Sequence, residues 1–125
     1  MFHNCGSLVT LDLSDFDTSY CTYFTSMFVG CSSLTTLDIS HFTFNGDYNP
    51  IVTNMFRGNR RLATIYNNDN WLEKWSVHDS DNAIFEDCWS LPGFSTAKVT
   101  LAMAKPVNEG GYFTASLGKW KPHEL

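Results

Sequence analysis

The sequence predicts an α/β-type repeat solenoid: right-handed coils stacked along a short parallel β-sheet, with irregular or short helical returns and a C-terminal cap. Three observations predict it. Self-similarity at a shift of 26 lays Met1-Phe2 through Phe16 over Met27-Phe28 through Phe42. Apolar or Cys residues fall at offsets 0, 1, 4, 7, 10, 12 and 15 from each Met in both copies. A third copy from Met55-Phe56 keeps Leu62 and Ile65, with Asn59 in place of the Cys, and a weaker fourth from Ile84-Phe85 keeps Cys88, Leu91 and Phe94. The copies are spaced by 26, 28 and 29 residues. A period of about 20 to 50 residues marks stacked units, each burying its apolar side against its neighbours.

Within a copy, Leu34-Thr35-Thr36-Leu37-Asp38-Ile39-Ser40 carries the Leu-x-x-Leu-x-Leu pattern of a leucine-rich repeat. From Thr36 it alternates polar and apolar, as a half-buried strand does. Leu37 and Ile39 are expected to point inward, and Thr36, Asp38 and Ser40 outward. Stacked coils then present outward rows of Thr10, Thr36 and Thr64, of Asp12, Asp38 and Tyr66, and of Ser14, Ser40 and Asn68. Phe16-Asp17-Thr18-Ser19 reads as a turn whose polar side chains cap nearby amides. Asn45-Gly46-Asp47-Tyr48-Asn49-Pro50 is rich in turn formers and predicts a surface loop. The return from Asn67 to Asn82 is largely polar, carries Trp71 and Trp75, and is expected to bulge from the stack.

The pattern changes after Cys88. Pro92-Gly93 breaks the chain, and Val99 to Met103 is apolar enough for a strand. Gly110-Gly111-Tyr112-Phe113-Thr114 supplies a turn and an aromatic pair to lie across the last coil, the lid that a terminal coil requires. The expected organisation is repeats over 1–83 with coils starting at 1, 27 and 55, a terminal repeat and cap over 84–115, and a polar tail over 116–125.

A chain of 125 residues with 43% hydrophobic composition holds one domain with a modest core. No apolar run approaches the roughly 18 residues of a membrane span, and no secretory signal stands at the start of the chain as given. Met1 occupies the Met position of the repeat with nothing before it to serve as a cap. Either the chain is a fragment cut at a repeat boundary, the favoured expectation, or the first coil's apolar end is covered by something else. Net charge is −5, and residues 1 to 56 hold five acids and no Lys or Arg. Acidity of this kind disfavours nucleic acid and favours, weakly, a basic partner surface; its plainer reading is Asp in turns and on solvated strand faces.

Cys5, Cys31 and Cys88 share one repeat position, and Asn59 fills it in the third copy. Asn cannot replace half of a disulfide, but a small buried hydrogen-bonding side chain can stand where Cys does, so reduced ladder thiols are expected. Neighbouring rungs lie within bridging distance, which leaves a Cys5–Cys31 bond open. Cys21 falls outside the register and reads as a core substitute for an aliphatic residue.

These residues resemble the BspA-like leucine-rich repeats of bacterial surface proteins, whose unit runs Met-Phe-x-x-Cys-x-Ser-Leu-x-x-Leu-Asp-Leu-Ser-x-Phe-Asp-Thr-Ser. Met1 to Ser19 matches it almost throughout; Met27 to Phe42 matches and then departs at Thr43-Phe44-Asn45; Met55 to Ile65 matches loosely. Cys88 through Gly111-Tyr112-Phe113-Thr114 is similar to the family's terminal repeat. The resemblance covers about residues 1 to 115. It implies export to the cell surface or secretion and, for some members, adhesion to host matrix proteins or other cells. It implies no catalytic residue.

Little else in the chain points to chemistry. His3, His41, His78 and His123 lack metal-ligand spacing. Asp79-Ser80-Asp81-Asn82 lacks the central Gly and closing Glu of a calcium loop. No phosphate-cradling loop, nucleophile elbow or zincin motif occurs. Asp12 and Asp38, stacked on an open ladder with no His or Lys nearby in the repeat, read as solvated face residues rather than a catalytic dyad. Arg57, Arg60 and Arg61 could form a small basic patch but not a nucleic-acid groove.

The expected function is therefore a non-catalytic protein-binding module without cofactor or metal. Its expected binding residues are Asp12, Thr36, Asp38, Thr64 and Tyr66 on the sheet, with Trp71 and Trp75, one helical turn apart, as anchors. The two tryptophans could instead cover the inserted return against the core. The alternative function is a small intracellular protein that binds and inhibits a macromolecule through its acidic face. With Phe2, Leu8, Leu11 and Leu13 at an unlidded end, self-association or fraying is expected at the N-terminal coil.

Overall fold

The computed structural model describes residues 6–9, 11, 13, 18, 24–40, 42, 52–67, 71, 84–96 and 98–115. The expectations for Phe2, the four His, Cys5, Cys21, Asp12, Trp75, the 45–50 loop, the 79–82 segment and the 116–125 tail lie outside these residues.

Around the Met27-Phe28 and Met55-Phe56 pairs the backbone winds through turns in which an N–H reaches the carbonyl three residues back. Met27 donates to Phe24, Val29 to Ser26, Cys31 to Phe28 and Leu34 to Cys31, at 3.1–3.3 Å. Met55 to Val52, Arg57 to Asn54 and Leu62 to Asn59 repeat the set one copy later. Winding this tight places residues in the left-handed region at fixed offsets. Gly30, Gly58 and Asp87 share one offset with φ of 71°, 80° and 63°, and Ser26 and Asn54 share another at φ 57°. Gly lacks the Cβ that penalises this region, and Asn and Asp tolerate it best among the rest.

Successive copies are joined by two hydrogen-bonded ladders. In the Met-Phe segments, Phe28 N–H donates to the Met55 carbonyl and Gly30 to Arg57, both at 2.9 Å. Phe56 donates to Ile84 at 3.0 Å and Gly58 to Glu86 at 2.9 Å. The second ladder is a parallel sheet of β1 (Thr36–Asp38), β2 (Thr64–Tyr66) and β3 (Phe113–Thr114), in that order. Thr36 pairs with Thr64, Leu37 with Ile65 and Asp38 with Tyr66; Ile65 and Tyr66 then pair with Phe113 and Thr114.

Side chains at equal offsets lie over one another. The Phe28 and Phe56 rings stack at 6.0 Å and 5°, and Phe56 and Phe85 at 5.4 Å and 8°. Cys31, Asn59 and Cys88 are all buried, as are Leu34, Leu62 and Leu91. The alternation in β1 behaves as its polarity pattern demands: Leu37 and Ile39 are buried, Thr36 and Asp38 exposed.

The last strand does not come from the fourth copy. By register Phe94 would follow Leu37 and Ile65, but β2 pairs with Phe113 instead. The cause is Pro92. In the preceding copy the equivalent Ala63 N–H donates to the Thr35 carbonyl at 2.9 Å, and proline has no N–H to repeat that bond. Gly93, at φ 70°, turns the chain away from the sheet. Phe94 then stacks on Tyr112 at 6.1 Å, while Tyr112 meets Phe85 edge-on at 5.1 Å and closes the phenyl column.

The strand expected over Val99 to Met103 is absent; Leu101–Met103 is a 3₁₀ turn. Thr100 starts it: its hydroxyl accepts from Ala102 N–H at 3.3 Å and its carbonyl from Met103 N–H at 3.1 Å. Such local bonds compete with a strand's ladder. Val99 has a different task, because its carbonyl accepts Phe85 N–H at 2.9 Å, where another coil's carbonyl would otherwise stand. Pro106, bridged in parallel to Phe113, covers the outer edge of β3 with a residue that offers no donor.

Candidate binding face

The sheet presents one outward row from each strand position. Thr36 and Asp38 on β1 are exposed, and Thr64 and Tyr66 on β2 and Thr114 on β3 are half-buried. Asp38, Tyr66 and Thr114 form a continuous row across three strands. Asp38 is locally fixed, since its Oδ1 accepts Ser40 N–H at 2.9 Å and the Ser40 hydroxyl at 2.5 Å. The carboxylate is therefore held in a defined place on an exposed residue, in register with Tyr66, and remains accessible to a donor from outside.

Of the expected binding residues, Thr36, Asp38, Thr64 and Tyr66 are brought together on this face. Trp71 is not among them. It is fully buried, with its backbone N–H on the Ala104 carbonyl at 2.9 Å. Its indole meets Phe113 edge-on at 5.0 Å and lies near-parallel to Phe56 at 6.4 Å. The reading of Trp71 as an exposed anchor is corrected accordingly: a large aromatic buried between two phenylalanines fills core volume and offers nothing to a partner.

Sequence reasoning also missed Thr114, which had been placed only in the lid. Its signal was a β-prone aromatic followed by a polar Thr, Phe113-Thr114, after the Pro92 break in the fourth copy. A groove of about 490 Å³ opens at the C-terminal ends of β2 and β3, bordered by Asn67, Pro106, Val107, Phe113, Thr114 and Ala115. It extends the face with apolar surface.

The arginines are already engaged in part. Arg57 Nε lies 3.4 Å from Glu86 Oε2, and the Arg60 guanidinium sits 5.0 Å from the centroid of the Trp89 ring. Among the described residues no cluster of three His, Cys, Asp or Glu could hold a metal ion, and no helix is long and apolar enough to cross a membrane. Cys31 and Cys88 are buried thiols. Burial pushes the Cys88 thiol up to about 12, against a backbone hydrogen bond from Asn59 that lowers it, with Asp87 adding to the rise. A thiol of that kind is no nucleophile. No family model, curated protein or solved structure matches the chain.

Proposed function

We propose that the chain is a non-catalytic binding module, a leucine-rich-repeat solenoid of the BspA-like kind from a bacterial cell-surface protein, which holds a protein partner on its sheet face. The observation that supports this reading most is the polar row Asp38, Tyr66 and Thr114, carried in register on three hydrogen-bonded strands with Thr36 and Thr64 beside it. Side chains on adjacent parallel strands are spaced by about 4.8 Å, so the row offers a rigid, shallow surface rather than a cleft. Recognition on such a surface rests on many modest contacts, with the aromatic supplying the largest share. A matrix or cell-surface protein that brings a basic patch to Asp38 and an apolar one to Tyr66 fits this surface.

The test is capture from extracellular-matrix and cytosolic extracts on the immobilised chain, identification by mass spectrometry, and measurement of affinity for the captured protein. Tyr66→Ala is expected to weaken binding by about 1–3 kcal/mol while the circular dichroism spectrum is retained. Unchanged affinity in both Tyr66→Ala and Asp38→Ala would show that the partner binds elsewhere.

A further inference from the structure

The groove at the ends of β2 and β3 offers an apolar surface that the polar row of the sheet does not use. Pro92, Pro106 and Val107 wall it, and the buried Phe113 borders it. Val107 is 41% exposed, and Pro92 is exposed as well. The two prolines bring no backbone N–H, so an apolar group laid against them leaves no donor there unsatisfied. At about 490 Å³ the groove falls within the roughly 300–1,000 Å³ of clefts that enclose a sizeable group. Among the described residues that border it, Glu109 alone is charged.

We propose that the chain's own residues 116–125 fill this groove, with the Trp120 indole as the occupant. The point at which that segment begins carries the argument. Ala115, the residue just before it, itself borders the groove. Trp120 stands five residues further on and is the largest side chain of the segment. Five residues of extended chain span at most about 17 Å, and Gly118 lets the path fold back. So short a tether gives the indole an effective concentration on the order of millimolar at the groove, which a separate partner or a second copy at micromolar concentration does not match. Indole also gains strongly from burial. Lys119 and Lys121 flank Trp120 and complement Glu109 at the rim. Exposed charge pairs add little energy, so the indole supplies the affinity and the lysines favour this groove over other apolar surface. Docking of this kind regulates the sheet face, because a partner's apolar group reaches the groove only by displacing Trp120.

The test is NOE spectroscopy of the isotopically labelled full chain with no partner added, so its outcome is independent of what the sheet face binds. Cross-peaks are expected from the Trp120 ring to the Val107 methyls and to the ring protons of Pro92 or Pro106. Val107→Asp is expected to abolish them and to speed amide exchange over 117–121 by about tenfold. The Phe28–Phe56 ring contact should persist in that variant, which shows that the copies remain stacked. Assigned Val107 and Trp120 signals with no cross-peak between them would overturn the proposal, and so would equal exchange rates in the parent and the variant. Cross-peaks in an isotope-filtered spectrum of mixed labelled and unlabelled chains would give the groove to a second copy and overturn the intramolecular assignment.

Discussion

Asn59 explains why one repeat position accepts either Asn or Cys. Its Nδ2 donates to the Phe28 carbonyl of the preceding copy at 2.8 Å and to Phe56 at 2.7 Å. Cys88 repeats the inter-copy bond, with Sγ 3.0 Å from the Phe56 carbonyl. The position needs a buried donor short enough to reach back one coil, and both side chains supply it. Asn59→Ala is expected to cost about 1–3 kcal/mol in urea denaturation, since two buried carbonyls lose a donor. Asn59→Cys should cost less, because the thiol keeps one of the bonds; equal losses would contradict the assignment. The Cys88 thiol adds a pH dependence. Its folded value of about 12 lies above the ordinary 9.0. Stability from this group is thus complete below pH 9 and is lost as pH rises from 9 to about 12, by up to about 1.4 kcal/mol per pH unit. Comparing Cys88→Ala with the parent over that range isolates the effect: the parent should fall more steeply, and parallel curves would refute it.

At the scale of elements, alternation made β1 legible, because Leu37 and Ile39 differ so sharply from Thr36 and Asp38. The cap was less legible. Apolar content over Val99 to Met103 suggested a strand, but the Thr100 hydroxyl and carbonyl close a 3₁₀ turn there, and composition carries no signal for that choice. The strand that completes the sheet is supplied from beyond the fourth copy, and its sign was Pro92 standing where an N–H is needed. The left-handed positions were readable in principle: Gly30, Gly58 and Asp87 are all residue types that favour positive φ, aligned at one offset. Trp71 was not decidable from spacing, since a tryptophan one turn from another suits a core as well as a surface. Gly111 tests the cap directly. A Cβ there would run into the Lys105 carbonyl and its Cγ, with backbone as one of the obstacles. Gly111→Ala is therefore expected to destabilise by roughly 1–3 kcal/mol in a thermal or urea transition. A neutral result would mean that the turn before β3 is looser than drawn.

For the whole molecule, the account rests on columns. Among the described residues the Phe28, Phe56 and Phe85 rings of successive copies stack on one another, and Tyr112 and Phe113 meet Phe85 at the end of that column. Tyr112 ties that end down: its hydroxyl donates to the Lys98 carbonyl at 2.6 Å and accepts Ser95 N–H at 3.3 Å. Serine hydroxyls add rungs at the edges, Ser33 to the Gly6 carbonyl at 2.5 Å and Ser90 to Arg60 at 2.7 Å. These bonds would pre-organise the sheet face for the proposed recognition of a partner. The measurement that bears most directly on this is a ring-to-ring NOE spectrum of the phenylalanine-labelled chain. Cross-peaks are predicted between Phe28 and Phe56 and between Phe56 and Phe85, with none between Phe28 and Phe85. Sharp, assigned ring signals lacking the first two contacts would contradict the stacking of the copies.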